Sequence, residues 1–481
     1  MITTKLWISN RWVEADRTVE LRNPHTKELL AHIGYASPEQ AAKAIEAAAD
    51  AFASFRTLQA YERAQILSRA ADILLSRREE AAELIVKEAA KPIQAARAEL
   101  DRTIVTYRFA ADAAKQLSSE TVQMDAAPRG ENRHAYMRRQ PIGVVSAITP
   151  FNFPFNLVAH KVGPAIAGGN TIVLKPAEKT PLSALFLAEV FKEAGLPAGV
   201  LQIIPGDGRE LSDVLTRHNQ VSYVTFTGSP RVGKVIRANA GLRKVTLELG
   251  SNSPLLIDEG FSEKELQWIA EQSAVGAFTY NGQVCISIQR IYVHSSLYES
   301  FVRRLTEKAN QLRIGDPMDE ETDITALIDT NACNRLEQWV SEAKQAGANI
   351  RCGGTFMGQI MQPTVLTDVP SSANIHCEEV FGPVVTITSF DSWEEAIRLA
   401  NDSKYGLNAG AFTKNIEHAF AAVEQLESGA VLINDIPTFR LDHMPYGGVK
   451  QSGVGREGIR YAMEEMTELK LVSFRTKLFE D

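Results

Sequence analysis

The sequence predicts an α/β protein made of two doubly wound α/β units with an added β-arm. Three observations carry this expectation. From residue 141 onward, short apolar segments alternate with helical ones, the pattern of a parallel sheet with helical crossovers. Ser262 with Glu265 forms a capping box that opens a second such region, running to roughly residue 450. Residues 118–140 are polar and turn-rich around Pro128-Arg129-Gly130, as expected of a β-arm or linker.

The elements follow in chain order. Leu6 to Val13 reads as a short strand, followed by a turn at Asn23-Pro24. Ser37-Pro38 reads as the N-cap and first position of a helix, and the Ala-, Glu- and Arg-rich stretch 38–117 as several long helices. Strands are expected at Val144–Ile148, Thr171–Leu174, Val200–Ile204, Tyr223–Phe226 and Val245–Leu249. Between the second and third, Thr180-Pro181 caps a helix that stops near Gly195-Leu196-Pro197. Doubly wound sheets bind ligands at the carboxyl ends of their strands. The tail 454–481 reads as a helix followed by a strand, Leu471 to Phe474.

Bulk properties bound the function. A chain of 481 residues exceeds one ordinary core, so two or three domains are expected. The net charge of −8 argues against a nucleic-acid footprint, which needs clustered Lys and Arg. The four cysteines, Cys285, Cys333, Cys352 and Cys377, form no CxxC pair, so neither a disulfide framework nor a zinc site is expected and no metal is assigned. Free thiols point to a reducing compartment. The residues after Met1 show no signal-peptide core, and no apolar run reaches membrane-spanning length. A cytoplasmic protein with no membrane partner is the expectation.

Five segments carry chemistry. Asn281-Gly282-Gln283-Val284-Cys285 places one Cys in a small polar turn after a helix, a setting for a nucleophile, although a lone free Cys is more often a buried small hydrophobe. In Leu247-Glu248-Leu249-Gly250 a carboxylate sits between apolar neighbours at a strand end, where desolvation raises its pKa and suits it to general base work; a solvated strand-end Glu is the plainer reading. Thr149-Pro150-Phe151-Asn152-Phe153-Pro154 holds Asn152 between two prolines, as an oxyanion donor or merely a turn residue. Phe226-Thr227-Gly228-Ser229-Pro230-Arg231-Val232-Gly233 is a Gly-rich strand-to-helix turn, suited to a diphosphate but not a GxGxxG fingerprint. Leu174-Lys175-Pro176-Ala177-Glu178 puts two charges past a strand end, where a carboxylate accepts from ribose hydroxyls, or where both are simply solvated.

Taken together and in this order, the segments resemble the aldehyde dehydrogenase superfamily over nearly the whole chain. Asn23-Pro24, Gly315-Asp316-Pro317, Glu378-Glu379-Val380-Phe381-Gly382-Pro383 and Pro445-Tyr446-Gly447-Gly448-Val449-Lys450 extend the match. The resemblance implies that Cys285 is the nucleophile, Glu248 the general base, and Asn152 with the Cys285 backbone N–H the oxyanion hole. It implies a dinucleotide site at Lys175 and Glu178 (adenosine ribose), Gly228, Ser229 and Gly233 (diphosphate turn), Glu379 and Phe381 (nicotinamide ribose and ring), with Thr149, Pro150, Phe151 and Leu249 lining it. It also implies the aldehyde dehydrogenase fold: a cofactor-binding domain in 1–117 and 141–248, a catalytic domain in 249–453, and an arm and tail in 118–140 and 454–481 for a homo-dimer or homo-tetramer. Ser251-Asn252 departs from the Gly and Lys that many members carry after this glycine, and leaves Glu248 in place.

The same resemblance implies oxidation through a thiohemiacetal and a thioester on Cys285. The CoA-acylating branch lacks the carboxylate found at Glu248, so hydrolysis is favoured. Glu178, read as a buried carboxylate, would oppose a 2′-phosphate, so NAD is expected over NADP. For the substrate, Arg102, His160, Arg440 and Phe153 are the candidates, with the three basic groups converging on the entrance; solvated or structurally paired Arg102 and Arg440 is an equal reading. Val284, where members acting on anions often carry Arg, points to a smaller or less charged substrate. Lactaldehyde, succinic semialdehyde, glyceraldehyde 3-phosphate, phosphonoacetaldehyde and sulfolactaldehyde all fit a short hydroxylated or anionic aldehyde. A cofactor-free cysteine esterase and an NADP-preferring semialdehyde dehydrogenase are the alternatives.

Overall fold

A computed structural model describes residues 2–117 and 119–477. Met1, Ser118 in the expected arm and residues 478–481 of the expected tail lie outside them.

Two sheets dominate. The first has eight strands in the order Arg11–Val13, Leu6–Ile8, Leu201–Ile203, Thr171–Lys175, Val144–Ile148, Val221–Thr227, Lys244–Glu248, Gly453–Val454. Its five central strands are mutually parallel and every interior residue of Val144–Ile148 and Thr171–Lys175 is apolar or small, as strands covered on both faces require. In chain order these five run 3-2-1-4-5, so the winding direction reverses at Val144–Ile148. A crevice opens beyond the carboxyl ends of the strands at such a reversal. The second sheet has seven strands in the order Asn349–Cys352, Thr364–Thr367, Val384–Phe390, Ile288–His294, Ser253–Ile257, Asn408–Phe412, Ala430–Ile433, all parallel except the first. The single strand expected at Leu6–Val13 is a hairpin of two, because Ser9 and Asn10 take left-handed φ values of 49° and 59°.

Each sheet is packed on both faces. One face of the first sheet carries the helices Ala60–Ser76, Arg78–Ala89 and Ile93–Lys115, joined by Asn156–Gly168 and Pro181–Glu193 in the largest apolar cluster. Its other face packs on Pro38–Phe55, Gly208–Arg217 and Pro230–Ala240. Helix starts follow local chemistry at Ser37, where the side chain accepts from Gln40 N–H and the Gln40 side chain accepts from Ser37 N–H, with Pro38 following. Ser262 and Glu265 do the same for Glu263–Phe278.

Thr180 corrects the expectation for the next start. Its hydroxyl caps nothing and is buried without a partner. The helix Pro181–Glu193 is capped instead by Glu88, whose carboxylate accepts from Leu182 N–H and Ser183 N–H, each at 2.9 Å. A third, three-stranded antiparallel sheet pairs Thr467–Arg475 with Arg133–Pro141 and the latter with Glu120–Val122. No helix among the described residues is long and apolar enough to cross a membrane.

Candidate active site

A cavity of about 1000 Å³ lies where the carboxyl edge of the first sheet meets the amino edge of the second. From the first sheet come Thr149, Pro150, Phe151 and Asn152 after Ile148, Lys175 and Glu178 after the neighbouring strand, Gly228 and Ser229 after Thr227, and Glu248 with Leu249. The segments leading into strands of the second sheet supply Gly250, Cys285, Glu379 and Phe381. Arg335 also lines it, and sequence reasoning missed that residue. Its guanidinium donates to the Val380 carbonyl at 2.7 Å and so braces the Glu379-Val380-Phe381 turn.

Cys285 sits in a turn before Ile288–His294, and is partly buried. The element ahead of it is a 3-10 turn at Thr279–Gly282 following Glu263–Phe278, with left-handed φ values at Tyr280 and Asn281. Burial pushes the thiol up to about 11, reinforced by Glu379 and Glu248 and opposed by a hydrogen bond with Tyr446 and by Arg440. Asn152 is 3% exposed, and its amide donates to the Gln283 carbonyl at 2.9 Å, two residues before Cys285. That bond uses one of two amide hydrogens and fixes the orientation of the group. Lys91 holds the same loop from below: its ammonium pairs with Glu99 and donates to the Asn152 carbonyl at 2.6 Å, over the Phe153 ring. Glu99 in turn accepts from Phe155 N–H and Asn156 N–H at the start of Asn156–Gly168.

Glu248 is 2% exposed and neither carboxyl oxygen has a protein partner. Burial raises its pKa well above the ordinary value; the Glu457 carboxylate adds to this, and Arg440, Lys161 and Arg456 offset it. Glu457 is buried too, but Lys161, His160 and Arg440 outweigh burial and hold it down at about 2. Lys161 donates to it at 3.0 Å. A lone Lys in the apolar helix Asn156–Gly168 was the available signal for this pair.

The dinucleotide candidates all line the cavity except Gly233. Glu178 is 42% exposed, not buried as expected, and accepts from Lys175 at 2.5 Å and from Gly208 N–H at 2.9 Å. Gly228 N–H donates to the Glu248 carbonyl, so it fastens the turn, while Ser229 caps Pro230–Ala240 through its hydroxyl. A Cβ on Gly228 would meet Phe226 at 2.5 Å, and one on Gly233 would meet Leu249 at 2.6 Å, so the chain passes close enough here to leave a slot. Glu379 accepts from Ser251 N–H at 3.0 Å, and Gly250 leaves it room, since a Cβ there would lie 2.4 Å from its carboxyl oxygen. Burial raises Glu379 to about 7, against the Ser251 N–H and Arg335. Phe381 meets Phe151 edge-on at 5.8 Å. The slot, the hydroxyl-seeking carboxylates and the exposed helix start suit a nicotinamide dinucleotide.

The substrate candidates differ from expectation. Arg102, His160, Arg440 and Phe153 do not line this cavity. The three basic groups converge, but on carboxylates. Arg102 makes a two-point ion pair with Asp442 at 2.7 and 3.1 Å. His160 Nε2 lies 2.9 Å from the same carboxylate. Burial, then Arg440, lower the His160 pKa, against the Asp442 hydrogen bond. Arg440 pairs with Glu457 at 3.3 Å and lies over the Tyr446 ring at 3.6 Å. Tyr446, whose hydroxyl is 2.9 Å from the Cys285 sulfur, was quoted only as part of a motif and given no role. The other three cysteines are free and do not line the cavity, and no cluster of three metal-ligating side chains occurs among the described residues.

Comparison with known proteins extends this geometry. The model of the aldehyde dehydrogenase family matches residues 12–472. A 3-sulfolactaldehyde dehydrogenase of Priestia aryabhattai is 46% identical over 97% of both chains. A lactaldehyde dehydrogenase of Methanococcus aeolicus is 37% identical over 98% of this chain and 100% of its own. Aldehyde dehydrogenase 21 from Physcomitrella patens, solved with the reaction product succinate, superposes with a TM-score of 0.96 at 38% identity, covering 99% and 98% of the two chains. Both an NAD-dependent aldehyde dehydrogenase from Sinorhizobium meliloti (TM-score 0.95, 32% identity, 100% and 96% covered) and an NADP-dependent enzyme from E. coli (0.95, 32%, 98% and 98%) share the fold. The family model spans nearly the whole chain and the relatives match it end to end at 32–46% identity, so this protein belongs to the aldehyde dehydrogenase family.

Proposed function

We propose that the protein oxidises a short hydroxylated or anionic aldehyde to its carboxylate, preferring NAD, through a thiohemiacetal and then a thioester on Cys285. The observation that carries this is the shared cavity of Cys285, Asn152 and Glu248 beside the carboxyl edge of the first sheet.

The Cys285 thiolate attacks the aldehyde carbon, and the carbonyl oxygen becomes an alkoxide. Asn152 donates its free amide hydrogen to that alkoxide, from a position set by Gln283 and Lys91. Lys175, Glu178, Ser229, Glu379 and Phe381 would hold a nicotinamide dinucleotide, which when bound would supply the hydride acceptor needed to convert the thiohemiacetal to the thioester. Glu248, in its carboxylate form, then takes a proton from water as the water oxygen bonds to the thioester carbon and the C–S bond breaks. The acid leaves and Cys285 regains its charge. Two unpartnered carboxyl oxygens in a buried site suit Glu248 to binding that water.

Relatives named for 3-sulfolactaldehyde and lactaldehyde, and a structure holding succinate, support small aldehydes with a hydroxyl or an anionic end. Arg440 is not placed to meet that end, since it lies outside the cavity lining and is held by Glu457 and the Tyr446 ring. Arg102, although clasped by Asp442 and outside the cavity lining, keeps 36% of its side chain exposed and is the remaining candidate. For the cofactor, Glu178 opposes a 2′-phosphate, but its exposure and its pairing with Lys175 screen the effect, so the NAD preference is a ratio of about tenfold and not exclusion. Four unpaired thiols support a reducing, cytoplasmic setting, and the three-stranded sheet supports a homo-dimer or homo-tetramer. The deciding experiment follows NADH formation with sulfolactaldehyde, lactaldehyde and succinic semialdehyde in the parent and Cys285→Ala proteins. Turnover that survives the substitution sinks the proposal, and kcat/KM higher with NADP reverses the cofactor reading.

A further inference from the structure

We propose that Tyr446 is a catalytic residue, whose phenol donates a hydrogen bond to the Cys285 thiolate, and that Arg440 positions and polarises it. This rests on Cys285 being the nucleophile. The Cys285 sulfur and the Tyr446 hydroxyl are 2.9 Å apart. A thiolate has no proton to give, so once the thiol has lost its proton to water, only the phenol can donate across that contact. The phenol keeps its own proton throughout.

The surroundings make such a donor necessary. The titratable and charged groups that face the thiol are Tyr446, Arg440, Glu379 and Glu248. Two of these are carboxyl groups, which disfavour a second negative charge. The counterweight is Tyr446 with Arg440 behind it. The guanidinium lies 3.6 Å from the ring centroid, on the face of the π-system, and its side chain is 7% exposed. A desolvated cation there draws electron density from the ring and strengthens the O–H as a donor.

The arrangement is built, not loose. Tyr446 is 5% exposed and packs with Ile286 and Leu407. Its backbone exchanges two hydrogen bonds with Glu457, the residue that also pairs with Arg440. The ring, its cation and the cation's carboxylate are thus fixed by one local ladder. A phenylalanine would fill the same space and lack only the donor.

The test measures carboxamidomethylation of Cys285 by iodoacetamide against pH in the full-length protein, with the Cys285 peptide quantified by mass spectrometry so that the other three thiols do not contribute. Tyr446→Phe is expected to displace the profile to higher pH, slowing alkylation about tenfold at a fixed, mildly alkaline pH. Arg440→Lys, which keeps the charge and loses the planar stack, is expected to move it the same way by about threefold. A Tyr446→Phe profile that overlies the parent's overturns the proposal, even if KM for the aldehyde changes, because a residue that only shapes the substrate cavity would behave so. If Tyr446→Phe does not fold, an unmoved Arg440→Lys profile overturns it equally. Turnover persisting in Cys285→Ala would instead remove the underlying nucleophile assignment, so the two failures are told apart.

Discussion

Cys285, Asn152 and Glu248 face one cavity but should fail in different ways when altered. Asn152→Ala removes the alkoxide donor and is expected to lower kcat about a hundredfold with KM nearly unchanged, as steady-state kinetics would show. Glu248→Gln leaves attack intact and blocks hydrolysis, so one equivalent of NADH should form in a burst and steady turnover should cease; an absent burst would place Glu248 in the first half-reaction. The raised pKa of Glu248 sets the sign of the pH dependence. Only the deprotonated form activates water, and a raised pKa keeps the group protonated to higher pH. Turnover in the parent should therefore fall as pH drops, with its inflection well above that of an ordinary glutamate. Glu379 carries a second pH effect. Its pKa of about 7 means the carboxylate that can accept from ribose hydroxyls is lost as pH falls through neutrality. KM for NAD should rise over that range, and Glu379→Gln should flatten the trend.

Among the elements, the loop bearing Asn152 depends on one buried ion pair. Lys91 and Glu99 have side chains 1% and 0% exposed, and between them tie the Asn152 carbonyl to the start of Asn156–Gly168. Removing one partner strands the other charge in an apolar interior. Lys91→Met should cost about 3–5 kcal/mol in urea unfolding and misplace the oxyanion donor, whereas exposed pairs such as Lys87–Glu83 should contribute almost nothing. Glu88 does related work for Pro181–Glu193. In Glu88→Gln one of the two capped N–H groups loses its acceptor, at about 1–3 kcal/mol. Neither residue is identifiable by spacing, since a local cap is sought within four residues and Glu88 lies 94 residues from Leu182.

For the whole molecule, the three-stranded sheet leaves the strand Thr467–Arg475 at an edge with nine residues. Leu469 and Leu471 share one face of it and are 53% and 58% exposed. A long apolar edge strand exposed in a monomer invites association. Replacing both leucines with Asp should shift the species seen by light scattering toward the monomer while the far-UV spectrum is kept; an unchanged mass would remove this sheet from the assembly.

Alternation of short apolar strands with helices, the capping boxes at Ser37 and Ser262, and the turns bearing Cys285, Asn152, Glu248 and Gly228 were legible in the sequence. Each is written within a few residues, as strand period, cap spacing or a Gly- or Pro-marked turn. Charge pairing was not. Arg102, read as a candidate for the entrance, is joined to Asp442, which is 340 residues away in the chain. Glu178 was expected to be buried and is not, and Tyr446 passed as a motif residue although it touches the Cys285 sulfur. Burial and partnership of ionisable groups depend on distances through space that folding sets. The residues able to do chemistry are therefore local information, while their charge, their pKa and the direction each one faces belong to the tertiary structure.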